Sequence, residues 1–205
     1  MQIEIEYCED SSLGVIYNPS IWKNVNQNMM YIDVGAFNGE TTIKTMEKHP
    51  RLWALAIEPN PQSFREMLYK IKYLQERVKC VNSGCWSNQG DNPLYIREDH
   101  PAESTMFLKN ATRLHNRKIT VPVKPLDLIM EENNINYVDL LKIDTEGAEH
   151  KVLAGLTKHR KGTQFHIEYH YNLGQILEQL YLKDTQSITV YVGRGGFGGS
   201  ISGVF

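Results

Sequence analysis

The sequence contains little cysteine. Cys8, Cys80 and Cys85 are the three cysteines among the 205 residues, and they show no CxxC or CxxH spacing. A disulfide framework needs an even number of cysteines, and a structural zinc site needs closely spaced ones, so we expect neither. A reducing compartment, the cytoplasm, is the simpler prediction.

Long apolar runs and an excess of charge are also missing. No window has the length and apolar character of a transmembrane helix, and residues 1–6 lack the basic start and apolar run of a signal peptide. The formal net charge is only −2, so no overall basic field would attract nucleic acid or an anionic membrane. We therefore expect no membrane partner, and the net charge disfavours nucleic acid as a partner.

The remaining composition is that of an ordinary globular protein, with 41% hydrophobic and 22% charged residues. We predict a single domain over residues 1–205. Within it, residues 1–30 form an N-terminal extension in which Ile3 and Ile5 allow a short strand. Residues 84–123 form an insert or substrate loop, in which 94–96 and 119–121 allow strands and the segment between them is polar.

Apolar segments alternate between the periods of strands and helices. Short apolar runs bounded by glycine or proline predict strands that are buried on both faces, and strands separated by helices predict a parallel sheet. The predicted strands are 29–34, 52–57, 78–81, 137–144, 165–170 and 187–192, with 201–205 pairing back as a hairpin. The predicted helices are 41–46, 61–75, one beginning at 147, and 173–182.

A glycine loop follows the first of these strands. Asp33 precedes the spacing Gly35-x-x-x-Gly39, which differs from the GxGxxG of dinucleotide enzymes. The acid disfavours a pyrophosphate and favours a cationic or hydroxyl-rich ligand. The loop taken alone is a weak signal, and the alternative is a tight structural turn.

Glu58 ends the second strand, 19 residues after Gly39. An acid at about this distance is placed to accept hydrogen bonds from ribose hydroxyls. The alternative is an exposed loop acid. Because Asp33 and Glu58 occur together at ordered spacing, the pair is more specific than either residue alone.

The sequence resembles the FkbM methyltransferase family at this point. The matching segments are YIDVGAFNGET (31–41), AIEPNP (56–61), LD (126–127) and DLLKIDTEGAE (139–149). KIDTEGAE is the most specific of them, and the resemblance runs in order from about residue 30 to residue 170. It implies a Rossmann-like class I methyltransferase fold, in which helices cover both faces of a mostly parallel seven-stranded sheet with an antiparallel strand near the C-terminus.

The resemblance also implies S-adenosylmethionine as the cofactor and O-methylation, on a small molecule or a sugar, as the activity. It assigns Asp33, Gly35, Asn38 and Gly39 to the methionine side and Glu58 to the ribose. Cys85 stands where the family borders the adenine, although Cys85-Trp86 departs from the more usual Ala-Leu pair. The predicted cofactor-binding residues are Asp33, Gly35, Ala36, Asn38, Gly39, Glu58, Asn60 and Cys85.

Three further side chains are candidates for catalysis because they lie at the carboxyl ends of predicted strands. Asp144 ends the strand 137–144 and would act as a general base for a hydroxyl, or would cap the following helix. Glu168 and His170 share one face of the strand 165–170 with His166. That polar face predicts a wet site if the strand is internal, and a solvated surface if it lies near an edge. A histidine with a near-neutral pKa would suit a base.

Other interpretations remain open. A metal ion could use Asp144, Glu168 and His170, but no compact ligand motif is present, and we predict a reaction without metal. The basic cluster of the insert, Lys109, Arg113, Arg117 and Lys118, is a solvated surface or a grip for an acidic substrate. The alternative functions are methylation of nucleic acid or protein, and nucleotide binding without catalysis; a dehydrogenase is disfavoured by the missing GxGxxG.

Overall fold

The computed structural model describes residues 1–7, 18–108, 110–192 and 198–205. Two features noted in the sequence, Cys8 and Lys109, lie outside these residues, as does most of the glycine-rich segment 193–199. None of the helices in the described part of the chain combines the length and the apolar character needed to cross a membrane.

Eleven strands and five α-helices form the described structure. The strands are β1 (Gln2–Tyr7), β2 (Met30–Val34), β3 (Trp53–Ile57), β4 (Val78–Val81), β5 (Gly84–Cys85), β6 (Gly90–Ile96), β7 (Arg117–Lys124), β8 (Leu140–Ile143), β9 (Gln164–His170), β10 (Ser187–Val192) and β11 (Gly198–Val204). The helices are α1 (Glu40–Lys48), α2 (Pro61–Ile71), α3 (Leu126–Glu132), α4 (Glu149–Ala154) and α5 (Leu173–Leu182).

The main sheet has the strand order β1-β10-β11-β9-β8-β2-β3-β4. All neighbours are parallel except β11, which is antiparallel to both β10 and β9. The expected mostly parallel sheet, its antiparallel strand and the C-terminal hairpin are therefore confirmed. The sheet has eight strands instead of the expected seven, because the N-terminal β1 adds to the edge beside β10.

Two apolar layers cover the sheet. Alternate strand residues point to opposite faces, so Ile32 packs in one cluster while Tyr31 packs in the other. The first cluster includes Leu126, Leu153 and Leu180 from α3, α4 and α5. The second includes Met46 from α1 and Met67 and Ile71 from α2. Helices thus cover both faces, as the resemblance implies.

The sequence signals at the start of α2 have the structure that they predict. The Asn60 side chain accepts a hydrogen bond from the Gln62 backbone N–H at 3.0 Å, and Pro61 is the first helical residue. This cap ends β3 sharply and leaves Glu58 at the carboxyl edge of the sheet.

Residues 84–123 contain a second, three-stranded sheet with the order β5-β7-β6. Its apolar side holds Leu94, Met106 and Val121. The long connection between β6 and β7 returns along the same carboxyl edge, where Thr105 forms a bridge with Tyr95. The region expected to be an insert or a substrate loop is therefore placed over the ends of the main strands.

Candidate active site

A cavity of about 210 Å³ opens at the carboxyl ends of β2, β3 and β8. Its wall is made by the glycine loop, the ends of these three strands and the connection between β6 and β7. The lining residues include Gly35, Ala36, Phe37, Asn38, Thr41, Glu58, Ser83, Cys85, Leu94, Met106, Lys142, Asp144 and Glu146. Ligands of open parallel sheets bind at this edge.

The glycine loop allows two strand ends to approach each other closely. Gly35 has a φ of +82°, and a Cβ at this position would lie 1.7 Å from the Asp144 carbonyl oxygen. The Asp144 backbone N–H donates to the Val34 carbonyl at 2.9 Å. A side chain at residue 35 would therefore push the Asp144 strand end away from the loop.

Glu58 is buried at one end of the cavity, with 7% of its surface exposed. Its two carboxylate oxygens accept hydrogen bonds from the backbone N–H groups of Phe37, at 2.9 Å, and Asn60, at 2.8 Å. Burial raises the pKa of Glu58 to about 7, although these two hydrogen bonds oppose the shift. Glu58 is therefore not an exposed loop acid.

Asp33 is fully buried behind the cavity wall. Its Oδ2 accepts hydrogen bonds from the hydroxyls of Thr41, at 2.6 Å, and Thr42, at 2.7 Å, and its Oδ1 lies 3.5 Å from the Lys142 ammonium. Thr41 and Lys142 themselves line the cavity. In this position Asp33 orients two side chains of the cavity wall.

The other predicted cofactor residues divide into two groups. Gly35, Ala36, Asn38 and Cys85 line the cavity together with Glu58. Gly39 has a φ of +84° and packs against α2, where a Cβ would lie 2.9 Å from Met67, while Asn60 is the α2 cap. A direct cofactor contact of Asp33, Gly39 or Asn60 stays a prediction.

The sequence interpretation did not select Lys142, which is the central cation of the site. Its ammonium is buried and lies 3.5 Å from Asp33 and 3.3 Å from Asp144. Burial alone would lower the pKa of Lys142, but the charges of Asp144, Asp33 and Glu168 outweigh it and raise the pKa. The sequence did contain a signal for this role, namely a lysine within the apolar strand Leu140–Ile143. Lysine is almost never fully buried without a partner, so a lysine in a buried strand predicts a nearby carboxylate.

The polar face of β9 is internal. β9 pairs with β11 on one side and β8 on the other, so the strand is internal and the alternative of a solvated edge does not hold. His166 is buried, its Nδ1 lies 2.9 Å from the Ser202 hydroxyl, and burial lowers its pKa to about 4. Burial raises the pKa of Glu168 to about 7, with the charge of Asp144 adding to the shift. This face therefore meets Lys142 and Asp144 inside the fold.

His170 ends β9 between two glutamates. Its Nδ1 lies 3.3 Å from Glu149 Oε1, and its Nε2 lies 3.3 Å from Glu146 Oε2. Burial would lower the pKa of His170, but the hydrogen bond to Glu149 and the charges of Glu146 and Glu149 raise it to about 10. The two carboxylates thus favour the imidazolium form, which differs from the near-neutral histidine that the sequence predicts.

Glu146 is a second residue that the sequence interpretation missed as a site residue. It has a φ of +53°, an unusual conformation for a residue other than glycine, and it lines the cavity beside Asp144. Its carbonyl accepts hydrogen bonds from Thr105, at 2.6 Å, and Asn110, at 3.0 Å. Burial raises the pKa of its carboxyl group to about 8.

Glu149 is fully buried and holds the turn before α4. Its Oε1 accepts hydrogen bonds from the backbone N–H groups of Gly147, at 2.8 Å, and Thr145, at 3.2 Å, and its Oε2 accepts from the Asn172 amide at 2.7 Å. Glu149 therefore stabilises this turn, and the same contacts fix its position beside His170.

The basic cluster of the insert stands apart from the cavity wall. Arg113 is exposed, Arg117 lies 3.8 Å from Glu98, and the Lys118 ammonium lies 5.5 Å from the centre of the Tyr95 ring. A grip on an acidic substrate stays a prediction for these residues. The insert instead reaches the cavity through Pro101, Ala102, Ser104 and Met106.

Comparison with known proteins agrees with this architecture. A solved FkbM methyltransferase structure from Methylobacillus flagellatus KT superposes with a TM-score of 0.59 at 14% identity, over 87% of this chain and 44% of that one. Aeropyrum pernix fibrillarin, solved with natively bound S-adenosyl-L-methionine, gives a TM-score of 0.54 at 14% identity, over 93% of this chain and 70% of that one. At these identities the likeness shows the fold.

Sequence comparison identifies the family. The chain is 26% identical over 162 residues to methyltransferase sdnD of Sordaria araneosa, an alignment that covers 65% of this chain and 62% of that relative. The model of the methyltransferase FkbM domain matches residues 33–195, which is most of the chain. The chain belongs to the FkbM methyltransferase family.

Proposed function

We propose that this chain transfers the methyl group of S-adenosylmethionine to a hydroxyl group of a small molecule or a sugar. The observation that carries the proposal is one cavity at the ends of β2, β3 and β8, with Glu58 at one end and Asp144 and Glu146 at the other. The first end suits a ribose, and the second suits a reacting hydroxyl.

The donor groups of the cavity fit the proposed cofactor. Each Glu58 oxygen accepts one backbone N–H and retains a lone pair for a ribose hydroxyl. Cys85, Leu94 and Met106 offer an apolar surface to a flat base. S-adenosylmethionine supplies, when bound, an activated methyl group on a cationic sulfur. The carboxylates at the Asp144 end favour a positive charge there.

Asp144 is the proton acceptor that we propose for the hydroxyl. A neutral alcohol is a weak nucleophile, and a base within reach removes its proton as the new bond forms. Asp144 lines the cavity, and its carboxylate lies 3.3 Å from the Lys142 ammonium, which orients it. Glu146 also lines the cavity, but its carboxylate is paired with His170 at 3.3 Å. Asp144 is therefore the base that we propose.

The class of acceptor is part of the proposal. The formal net charge of −2 disfavours nucleic acid, and a cavity bordered by the insert suits a small molecule or a sugar better than a flat macromolecular surface. A cytoplasmic location is likewise proposed, since Cys80 and Cys85 are both free thiols.

Calorimetric titration with S-adenosylmethionine tests the cofactor assignment, with NAD as the comparison ligand. We expect Glu58→Ala to weaken binding of S-adenosylmethionine by about 1–3 kcal/mol, because it removes the proposed ribose acceptor. The exposed Glu66→Ala on α2 is the control and should bind like the parent chain. Unchanged affinity in Glu58→Ala would remove Glu58 from the ribose site.

A screen of hydroxylated acceptors, especially sugars, with a labelled methyl donor tests the reaction itself. Label in an ether product supports the proposed transfer. Label on nitrogen, or in nucleic acid or protein controls alone, would contradict it.

A further inference from the structure

Three potential metal ligands converge at the Asp144 end of the cavity. Asp144, Glu146 and His170 each offer one ligand atom, and these atoms all lie within 4.8 Å of one another. His170 Nε2 and Glu146 Oε2 are 3.3 Å apart. Adjacent ligands of a six-coordinate ion with bonds of about 2.1 Å are about 3 Å apart, so the distance between His170 and Glu146 is close to that of two adjacent ligands.

The histidine is oriented as metal-binding histidines usually are. Such a histidine commonly donates its second ring N–H to a carboxylate, which fixes the tautomer and directs the other nitrogen to the ion. Glu149 is placed to accept from Nδ1, at 3.3 Å, and is itself held by the N–H of Gly147 and by Asn172. Nε2 then faces Glu146 and Asp144.

Negative charge dominates the surroundings of this cluster. Five carboxylates surround His170 or Lys142 closely enough to raise its pKa, namely Asp33, Asp144, Glu146, Glu149 and Glu168. The ammonium of Lys142 is divided between Asp33 and Asp144. A divalent cation would offset the repulsion among the carboxylates, which is costly in a partly buried site.

We propose that Asp144, Glu146 and His170 bind one divalent cation, Mn²⁺ or Mg²⁺, at the acceptor end of the cavity. Two carboxylates and one imidazole suit these ions, whose remaining positions take water or the acceptor oxygen. The metal-free reaction expected from the sequence is replaced by this proposal, and the third ligand is Glu146 in place of Glu168.

The consequence for the reaction rests on the proposed function. A hydroxyl beside the cation would be more acidic, so its proton would pass more readily to Asp144, the base that we propose. One oxygen of the Asp144 carboxylate would bind the cation, and the other would accept the proton.

Titration of the full chain with Mn²⁺, without cofactor or acceptor, tests the site. Free Mn²⁺ is followed by electron paramagnetic resonance, and we expect one bound ion per chain. Glu146→Gln and His170→Ala should each weaken binding at least 10-fold, and Glu149→Gln about 10- to 100-fold. Glu66→Gln, which removes an exposed carboxylate on α2, is the matched control and should not change it.

The outcomes separate this proposal from the proposed function. No stoichiometric Mn²⁺ binding, or equal binding in Glu146→Gln and His170→Ala, would overturn the cation site. Glu146 has a partly exposed side chain, so Glu146→Gln should fold, and circular dichroism checks this. If methyl transfer proceeds unchanged in EDTA, the cation proposal fails while the methyltransferase proposal stands. If the chain binds Mn²⁺ but not S-adenosylmethionine, the cation proposal stands and the methyltransferase proposal fails.

Discussion

Individual carboxyl groups in this protein have protonation states that depend on burial more than on residue type. Glu58 is buried and accepts two backbone hydrogen bonds, yet burial still raises its pKa to about 7. The protonation state of Glu58 matters for function, because a ligand whose hydroxyl groups donate hydrogen bonds to the carboxylate stabilises its charged form.

The raised pKa of Glu58 predicts a pH-dependent stability. The folded chain retains this proton up to about pH 7, whereas the unfolded carboxyl loses it near pH 4.5. The wild-type chain therefore loses stability as the pH rises from 4.5 through 7, relative to Glu58→Gln, which does not titrate. We expect the free energy of unfolding of Glu58→Gln, relative to that of the wild type, to rise by roughly 2–3 kcal/mol between pH 5 and pH 8.

Urea unfolding at the two pH values measures this difference. Glu66→Gln, at an exposed position on α2, is the control and should follow the wild type. A constant difference between Glu58→Gln and wild type from pH 5 to pH 8 would show that the Glu58 pKa is not raised.

The proposed role of Asp144 as the base predicts how its substitution changes turnover. Asp144→Asn preserves the shape of the side chain but cannot accept a proton or bind a cation well. We expect it to bind cofactor with near-normal affinity and to lose about 10²- to 10⁴-fold in kcat. His170→Ala should also slow the reaction and change its pH profile. Asp91→Asn makes the same change at an exposed position and is the control, which should have normal turnover. Near-normal turnover of both Asp144→Asn and His170→Ala on the true acceptor would remove them from catalysis.

At the scale of elements, the connection between β6 and β7 completes the site from outside the main sheet. Thr105 is buried in this connection; its hydroxyl donates to the Glu146 carbonyl at 2.6 Å and accepts from the Phe107 N–H at 2.9 Å. The insert is thereby attached to the turn that carries Glu146, at the acceptor end and away from Glu58.

Thr105→Val should therefore affect the acceptor and not the cofactor. The change retains the volume of the side chain but leaves the Glu146 carbonyl with one hydrogen bond fewer, which loosens the insert at the acceptor end. We expect the apparent KM of the acceptor to rise several-fold while the affinity for S-adenosylmethionine stays unchanged. Steady-state kinetics and calorimetry measure the two, with the exposed Thr120→Val on β7 as the control. Equal losses in both would contradict a separate acceptor role.

Across the whole molecule, the sheet is covered unequally along its width. β9, β8, β2 and β3 lie in its interior and position the site, whereas β1 lies at the edge beside β10. Ile5 of β1 is 55% exposed, while Ile201 of β11 is fully buried in the layer under α4 and α5. The central strands therefore carry most of the apolar stabilisation.

Two isoleucine truncations test this distribution. Ile201→Ala should lower the free energy of unfolding by about 2–5 kcal/mol, because it leaves a cavity between well-packed elements. Ile5→Ala should change it by less than about 0.5 kcal/mol, since the side chain is already in water. Urea unfolding of both variants is the measurement, and similar losses would show that β1 is packed in the core.

The order of the elements and the identity of the family were determined by local sequence. Short apolar runs with glycine or proline at their ends, and helical spacing between them, are set by backbone geometry within a few residues, and they predicted the parallel core. The Asn60-Pro61 cap and the acid at Glu58 followed from the same local rules. The extra edge strand was only allowed by Ile3 and Ile5, because pairing with β10 joins chain ends far apart in sequence.

The chemistry of the candidate site was decided by the tertiary structure. Whether the polar face of β9 is wet or merely at an edge depends on its neighbours β11 and β8, which the pattern of one strand does not contain. Lys142 becomes the common partner of Asp33 and Asp144 only when β2 and β8 pair. The high pKa of His170 likewise comes from Glu146 and Glu149, more than 20 residues earlier in the chain. Burial and charge depend on which residues the folded chain brings together. The sequence therefore predicted several of the residues that line the cavity, but it did not predict their charge states or their partners.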